Sequence, residues 1–221
     1  IDEPGTQIDS VWWDLTALGH ATYPSKVLEQ IPQAGLDKWR EQGIDWIGRL
    51  VTETKKRKLE CFWSHRLCEV ELNEEGTGAG WNGKPHPIKQ AHPDWVIKTW
   101  WKQGLWNLAV AGVRELKVRI LRELAENYDF DGFQIDFSRH VPALPPGNEW
   151  QHRDAMTDFV QSVRLMTLEV GRRRGHPFLL AVKVPRNLEG CRADGFDVET
   201  WAQQDLVDIF TVGCRSIDVD I

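Results

Sequence analysis

Residues 129–140, Asp-Phe-Asp-Gly-Phe-Gln-Ile-Asp-Phe-Ser-Arg-His, constrain the fold more than any other stretch. Phe133, Ile135 and Phe137 alternate with Gln134 and Asp136, a period of two that reads as a strand with two unlike faces. Asp136 then points away from the three apolar side chains. In a barrel of parallel strands that second face is the interior, and carboxylates at strand C-termini are where catalytic groups sit. Arg139 and His140 follow as the strand turns into a loop. The plainer account makes Asp131 a turn cap and Asp136 the partner of Arg139 in a structural ion pair.

Four more segments carry strand signatures: 8–14, 59–66, 178–184 and 206–212. The run 178–184 is almost continuously apolar, as a strand covered on both sides should be. Helical spacing fills the gaps. It covers 36–54 (Leu36, Trp39, Trp46, Ile47, Leu50, Val51), 111–127 (Val113, Leu116, Ile120, Leu124) and 149–174 (Ala155, Phe159, Val163, Met166, Val170), with a short helix over 198–203. Strands alternating with helices call for a parallel sheet. No strand is followed by a G-x-G-x-x-G turn or a phosphate loop, so a dinucleotide-binding fold ranks below a barrel. The expectation is an α/β fold, a TIM-like (β/α)-barrel forming a single domain over 1–221. Since eight such units need about 250 residues, the barrel is expected to be incomplete here, with one strand or more preceding Ile1 and two following Ile221.

Residues 73–106 interrupt the rhythm with Gly76, Gly78, Gly80, Gly83, Pro85, Pro87 and Pro93. Trp81, Trp95, Trp100, Trp101 and Trp106 in the same stretch argue for order, because disordered segments are poor in aromatics. An ordered active-site loop with a short helix over 94–101 is expected. The chain holds 12 Trp, a supply that suits a large core or a carbohydrate cleft, with core packing the better assignment for any one of them. A net charge of −6 speaks against nucleic acid or an anionic membrane as partner. Cys61, Cys68, Cys191 and Cys214 lack the paired spacing of a zinc site or the density of a disulfide scaffold, so they do not report a compartment. Neither a leader nor a membrane span is present, yet the chain starts at Ile1, which leaves export of a longer precursor open.

Strand ends of a barrel converge on one mouth, so distant residues can meet there. The polar candidates are Asp14, His65, Arg66, Glu69, Asp136, Arg139, His140, Lys183, Arg186 and Asn187. Glycoside hydrolysis uses such a mix, with one carboxylate as nucleophile or base and a second group as proton donor. Asp136 is the candidate nucleophile or electrostatic stabiliser, and the candidate proton donor is either Glu69, whose plainer reading is a solvent-exposed loop residue, or a residue beyond Ile221. His65, Arg66, Arg139, His140 and Lys183 are candidate substrate contacts, and Trp13 and Trp81 candidate stacking platforms. Arg66 or Arg139 is expected beside Asp136. Lys183, set among Leu179, Leu180, Val182 and Val184, must find a partner or a water-filled site; a structural Lys paired with Asp136 is the competing account. Asp208 reads as a structural carboxylate. No cofactor or metal is called for; a metal-assisted site from Asp14, His65, Glu69 and Asp136 ranks last, because no H-x-H or H-E-x-x-H pair supports it.

The run Asp131, Gly132, Phe133, Gln134, Ile135, Asp136 resembles the strand-four signature of barrel glycoside hydrolases. In the α-amylase family the matching segment ends in the nucleophilic Asp and continues to a Lys-His pair, where this chain has Arg139 and His140; that family's Arg two residues before the nucleophile is replaced by Gln134. A closer overall resemblance is to the glycoside-hydrolase-like barrel proteins of polysaccharide-degrading bacteria. It rests on Tyr23 to Ser25, Ser64 to Arg66 with Glu69 following, His92 to Trp95, Val113 to Glu115, the 131–139 segment, and Trp201 before Leu206 to Asp208. The resemblance implies a sugar-active barrel enzyme and specifies no substrate; with the residues above, the expectation is a retaining hydrolase of oligo- or polysaccharide, with a catalytically silent carbohydrate-binding barrel as the alternative.

Overall fold

The computed structural model describes residues 5–14, 20–31, 34–68, 87–99 and 104–213. The first strand, β1 (Ser10–Asp14), leads by way of an isolated bridge between Ala21 and Gln30 to α1 (Ala34–Glu41) and α2 (Trp46–Lys56). The sequence predicts one helix over 36–54; two form. Gly43 takes φ +66°, a left-handed backbone that ends α1, and the Asp45 side chain then caps α2 by accepting from Gly48 N. Next come β2 (Glu60–Arg66), α3 (Pro87–Ala91), a 3-10 turn at Pro93–Trp95, and a two-stranded antiparallel ribbon of β3 (Val96–Ile97) and β4 (Leu105–Trp106). The ribbon and the 3-10 turn replace the helix expected over 94–101; Trp100 and Trp101 lie outside the described residues.

The second half follows the predicted order. It contains α4 (Ala111–Asn127), β5 (Gly132–Asp136), a 3-10 turn at Trp150–His152, α5 (Arg153–Arg174), β6 (Leu179–Val184), α6 (Leu188–Ala193), α7 (Val198–Gln203) and β7 (Ile209–Val212). Of these only α6, a single capped turn or two, lacks a periodic signal in the sequence.

The main sheet is parallel throughout, with order β1-β2-β5-β6-β7. Each strand is laid beside its predecessor with no reversal of direction. This is the winding of a (β/α)-barrel, and it excludes the switch point of a doubly wound sheet. The five strands form an arc of that barrel.

The odd-numbered face of β5 makes the core. Phe133, Ile135 and Phe137, with Trp63, Leu180, Val182 and Val184 from neighbouring strands, pack in one cluster with Val51 of α2, Leu116 and Ile120 of α4, and Val163 and Met166 of α5. Trp106 and Trp201 are also buried, in line with core packing as the usual fate of a Trp here. Gly132 is required by closeness: a Cβ there would stand 2.5 Å from both the Leu179 carbonyl oxygen and Phe62 Cε1.

Two aspartates lock the sheet from its entry side. Asp131 Oδ2 accepts from Cys61 N at 2.7 Å and Oδ1 from Lys55 Nζ at 2.5 Å, while its backbone bonds to Cys61 and Leu179, so it joins the starts of β2 and β6 to the end of α2. Asp208 Oδ2 accepts from Leu180 N at 2.8 Å and from Arg164 Nη1 at 2.7 Å, the structural role expected of it.

Candidate active site

The face of the sheet turned away from the helices is organised in tiers. At the bottom, Trp12 stacks on Phe62 with ring centroids 4.3 Å apart and planes 5° from parallel. Two residues further along the strands, Ser64 Oγ donates to Gln134 Oε1 at 2.8 Å, and Gln134 Nε2 donates to Thr211 Oγ1 at 3.2 Å. At the C-terminal ends stand four charged side chains, one per strand in spatial order: Asp14, Arg66, Asp136 and Lys183. Their signs alternate across β1, β2, β5 and β6.

Asp136 is the most enclosed of the four, its side chain 9% exposed. Oδ1 accepts from Ser138 N at 2.9 Å and Arg139 N at 3.1 Å, an Asx turn that fixes the carboxylate as the chain leaves the sheet. Oδ2 lies 3.3 Å from Lys183 Nζ. Both oxygens act as acceptors, the arrangement an ionised carboxylate satisfies. Ser138, which also donates from Oγ to the Gly213 carbonyl at 3.1 Å, was not among the sequence candidates; an Asp two residues before a Ser at a strand end is the signal that would have found it.

The expected cation beside Asp136 is Lys183, not an arginine guanidinium. The Arg66 guanidinium turns to Asp14, and Arg139 contributes only its backbone N–H while its side chain is exposed. An Arg reaches either neighbouring carboxylate from its strand, and Asp136 Oδ2 already faces Lys183. The Arg139 ion pair of the plainer account therefore does not form.

Two candidates face the helices instead. His65 follows the parity of Trp63 and is 3% exposed, with neither ring nitrogen hydrogen-bonded among the described residues. Burial, aided by the Lys117 charge on α4, holds its pKa well below the usual imidazole range. A buried neutral imidazole on that face does not reach the Asp136 row, and it does not converge with Asp14 and Asp136 on a metal. Trp13 likewise packs towards α2, where its Nε1 donates to Thr54 Oγ1 at 3.2 Å, leaving Trp12 as the interior aromatic of β1. His140 is buried with φ +61° just past the Asx turn. Glu69 and Trp81 lie outside the described residues, as does Cys214. Among the described residues no group of three His, Cys, Asp or Glu is placed to hold a metal, and no helix is long and apolar enough to cross a membrane.

The description Glycosyl hydrolase-like 10 matches residues 3–155, more than half of the chain, from before β1 to the start of α5. The chain belongs to the Glycosyl hydrolase-like 10 family. The matched part of this Glycosyl hydrolase-like 10 chain contains Asp14, Arg66 and Asp136, and Lys183 lies beyond it. A comparison with curated proteins finds no match. Among solved structures, a class V chitinase from Pseudomonas fluorescens Pf-5 is 17% identical, with 92% of this chain and 46% of that one covered at a TM-score of 0.49. A glycoside hydrolase family 18 N-acetylglucosaminidase from Paenibacillus barengoltzii is 14% identical, covering 89% and 44% at 0.46. The galactosidase domain of an alpha-galactosidase-sucrose kinase is 18% identical, covering 79% and 22% at 0.44. The chain thus spans less than half the length of each of these proteins.

Asp194, the C-cap of α6, is a separate electrostatic feature. Burial, with the Glu149 charge second, pushes its pKa up to about 6. A carboxyl whose folded pKa exceeds its unfolded value near 3.9 contributes stability that is complete below that lower value and lost as pH rises through about 6. Asp194→Asn should therefore raise stability at pH 7.5 by ~1–2 kcal/mol and change it little at pH 4. Urea titrations of both proteins at the two pH values check this; an equal effect at both would refute it.

Proposed function

We propose that this chain is the sugar-hydrolysing part of a glycosidase, acting on oligo- or polysaccharide by the retaining route. The observation that carries the reading is Asp136: a buried carboxylate at the C-terminal end of the middle strand, oriented by two backbone N–H groups and an ammonium, on the interior face. A carboxylate so fixed suits a nucleophile or a stabiliser of the oxocarbenium-like transition state, because its acceptor geometry needs no rearrangement as positive charge develops. It is poorly arranged to donate a proton. That role is assigned to Glu69, which follows the β2 strand end in the chain. Lys183 holds Asp136 in orientation, and the Asp14–Arg66 pair lines the cleft beside it, where its polar edges can meet sugar hydroxyls.

Membership of a hydrolase-like family supports the class of reaction, and the polar interior row supports its location. The test is release of reducing ends from a panel of α- and β-linked glycans by the purified protein. Loss of reducing-end release in Glu69→Gln, together with azide restoring aglycone release from an activated glycoside and yielding the glycosyl azide of retained configuration, supports the retaining assignment. Saturable glycan binding with no release from any member of the panel would instead assign a silent carbohydrate-binding barrel.

A further inference from the structure

The charges at the strand ends do not balance around Asp136. Asp14 and Arg66 pair with each other at the ends of β1 and β2. On the β5 and β6 side, the single carboxylate of Asp136 has two cationic residues beside it, Lys183 and Arg139. Its Oδ2 lies 3.3 Å from Lys183 Nζ, and among the described residues that ammonium has no second acceptor. The Arg139 backbone N–H is spent on Oδ1 at 3.1 Å, while its side chain is exposed and makes neither ion pair nor hydrogen bond among the described residues. The chain as a whole carries −6, so this surplus of positive charge is local.

Both cations are accessible, Lys183 with its side chain 31% exposed. Gly213, just past β7, leaves the flank of the Lys183 stem clear: even an added Cβ would have Lys183 Cε, at 3.8 Å, as its nearest neighbour among the described residues. The glycine is held in place, its N–H donating to the Val184 carbonyl at 3.0 Å and its own carbonyl accepting from Ser138 Oγ at 3.1 Å. Its φ is not positive, so the backbone does not demand glycine there. What the missing side chain provides is room beside Lys183.

A sugar seated against Asp136 displaces water from these cations. Hydroxyl oxygens return neutral acceptors only, whereas an ionised acid group returns charged ones, whose hydrogen bonds are roughly twice as strong and offset the lost hydration. A guanidinium fork such as that of Arg139 takes two oxygens of one acid group. Sugar chemistry fits the placement. In a pyranose only the ring oxygen separates the anomeric carbon from the carbon that bears the exocyclic group, so an acid on that group stands beside the residue facing the anomeric carbon. We propose that the sugar unit seated at Asp136 carries an acidic group, a carboxylate or a sulfate ester, recognised by Lys183 and Arg139. The proposal rests on the glycosidase reading above and gives it a substrate class.

The experiment is calorimetric titration of the full chain with methyl thioglycosides, which resist hydrolysis and so leave Asp136 unaltered. Both anomers of the gluco and galacto series are used as neutral hexosides, as uronides, and as hexosides sulfated on the exocyclic oxygen. An acidic ligand should bind about tenfold or more tighter than its neutral counterpart, and the advantage should shrink as salt is raised. The tighter of the two acids assigns carboxylate or sulfate. Lys183→Gln and Arg139→Gln should each cut the preference for acid by about tenfold. Arg139→Gln is the safeguard against a disturbed site, because it alters an exposed side chain and keeps the backbone N–H on Asp136 Oδ1. Acidic and neutral ligands bound alike, no binding by any of them, or a preference that survives both substitutions overturns the proposal. Release of neutral glycans that depends on Asp136 and Glu69 would then still uphold the hydrolase. Acid-selective binding with no release from any acidic or neutral glycan would sink the hydrolase and keep the acid site.

Discussion

Replacing Asp136 by asparagine should lower the turnover of a glycan substrate by about 10³-fold or more while the protein stays folded. The substitution keeps the shape of the side chain, and an amide oxygen at the Oδ1 position can still accept from Ser138 N and Arg139 N. What changes is the Oδ2 position, where an NH₂ group would face the Lys183 ammonium now 3.3 Å away. Lys183 is 31% exposed and can turn to solvent, so the stability cost should be limited to about 1–2 kcal/mol. The measurement is kcat on an activated aryl glycoside together with a thermal unfolding curve. Turnover within a few-fold of the parent would make Asp136 an anchor for Lys183 and remove it from the chemistry. Loss of turnover accompanied by global unfolding would be uninformative for Asn alone, and Lys183→Met, which leaves the Asx turn in place, then separates orientation from fold.

The opposite parity of the same strand should give the opposite result. Phe133→Ala removes a fully buried ring that lies edge-on to Phe178 at 4.8 Å and tilted against Phe130 at 6.1 Å. Deletion of such a ring from a packed core typically costs 3–5 kcal/mol, lost transfer energy and the cavity together. A domain of this kind has about 5–15 kcal/mol in total, so the variant should be marginal at 37 °C. Denaturant unfolding should show a lower midpoint at unchanged slope. Any folded fraction should retain the kcat of the parent. A loss below about 1 kcal/mol would mean that this face does not carry the core.

The alternation over 132–137 was readable because a parallel strand covered by helices has one wholly apolar face, and a carboxylate among those residues can only lie on the other. The same parity applied to β2 would have put His65 beside Trp63 and away from Arg66; position at a strand end fixes height along the sheet and says nothing of the face. Trp12 and Trp13 were harder, since adjacent identical residues carry no parity signal of their own. Choice of partner was not legible either. Arg66 and Asp136 are register neighbours, but a long flexible side chain between two carboxylates is claimed by whichever has a free oxygen. The break between α1 and α2 was hidden because the apolar residues on both sides of Gly43 fit one helical stripe.

The hydrogen-bonded tier of Ser64, Gln134 and Thr211 sets a limit on depth. Two residues of strand separate Gln134 from Asp136, roughly 7 Å, and the side-chain amide is spent on its neighbours in both directions. On these five strands the open stretch of interior face beside Asp136 is therefore only about as deep as one sugar ring is thick. If the proposed site takes a glycan, contacts with successive sugar units along β1, β2, β5 and β6 come from across the strand ends and not from further down this face.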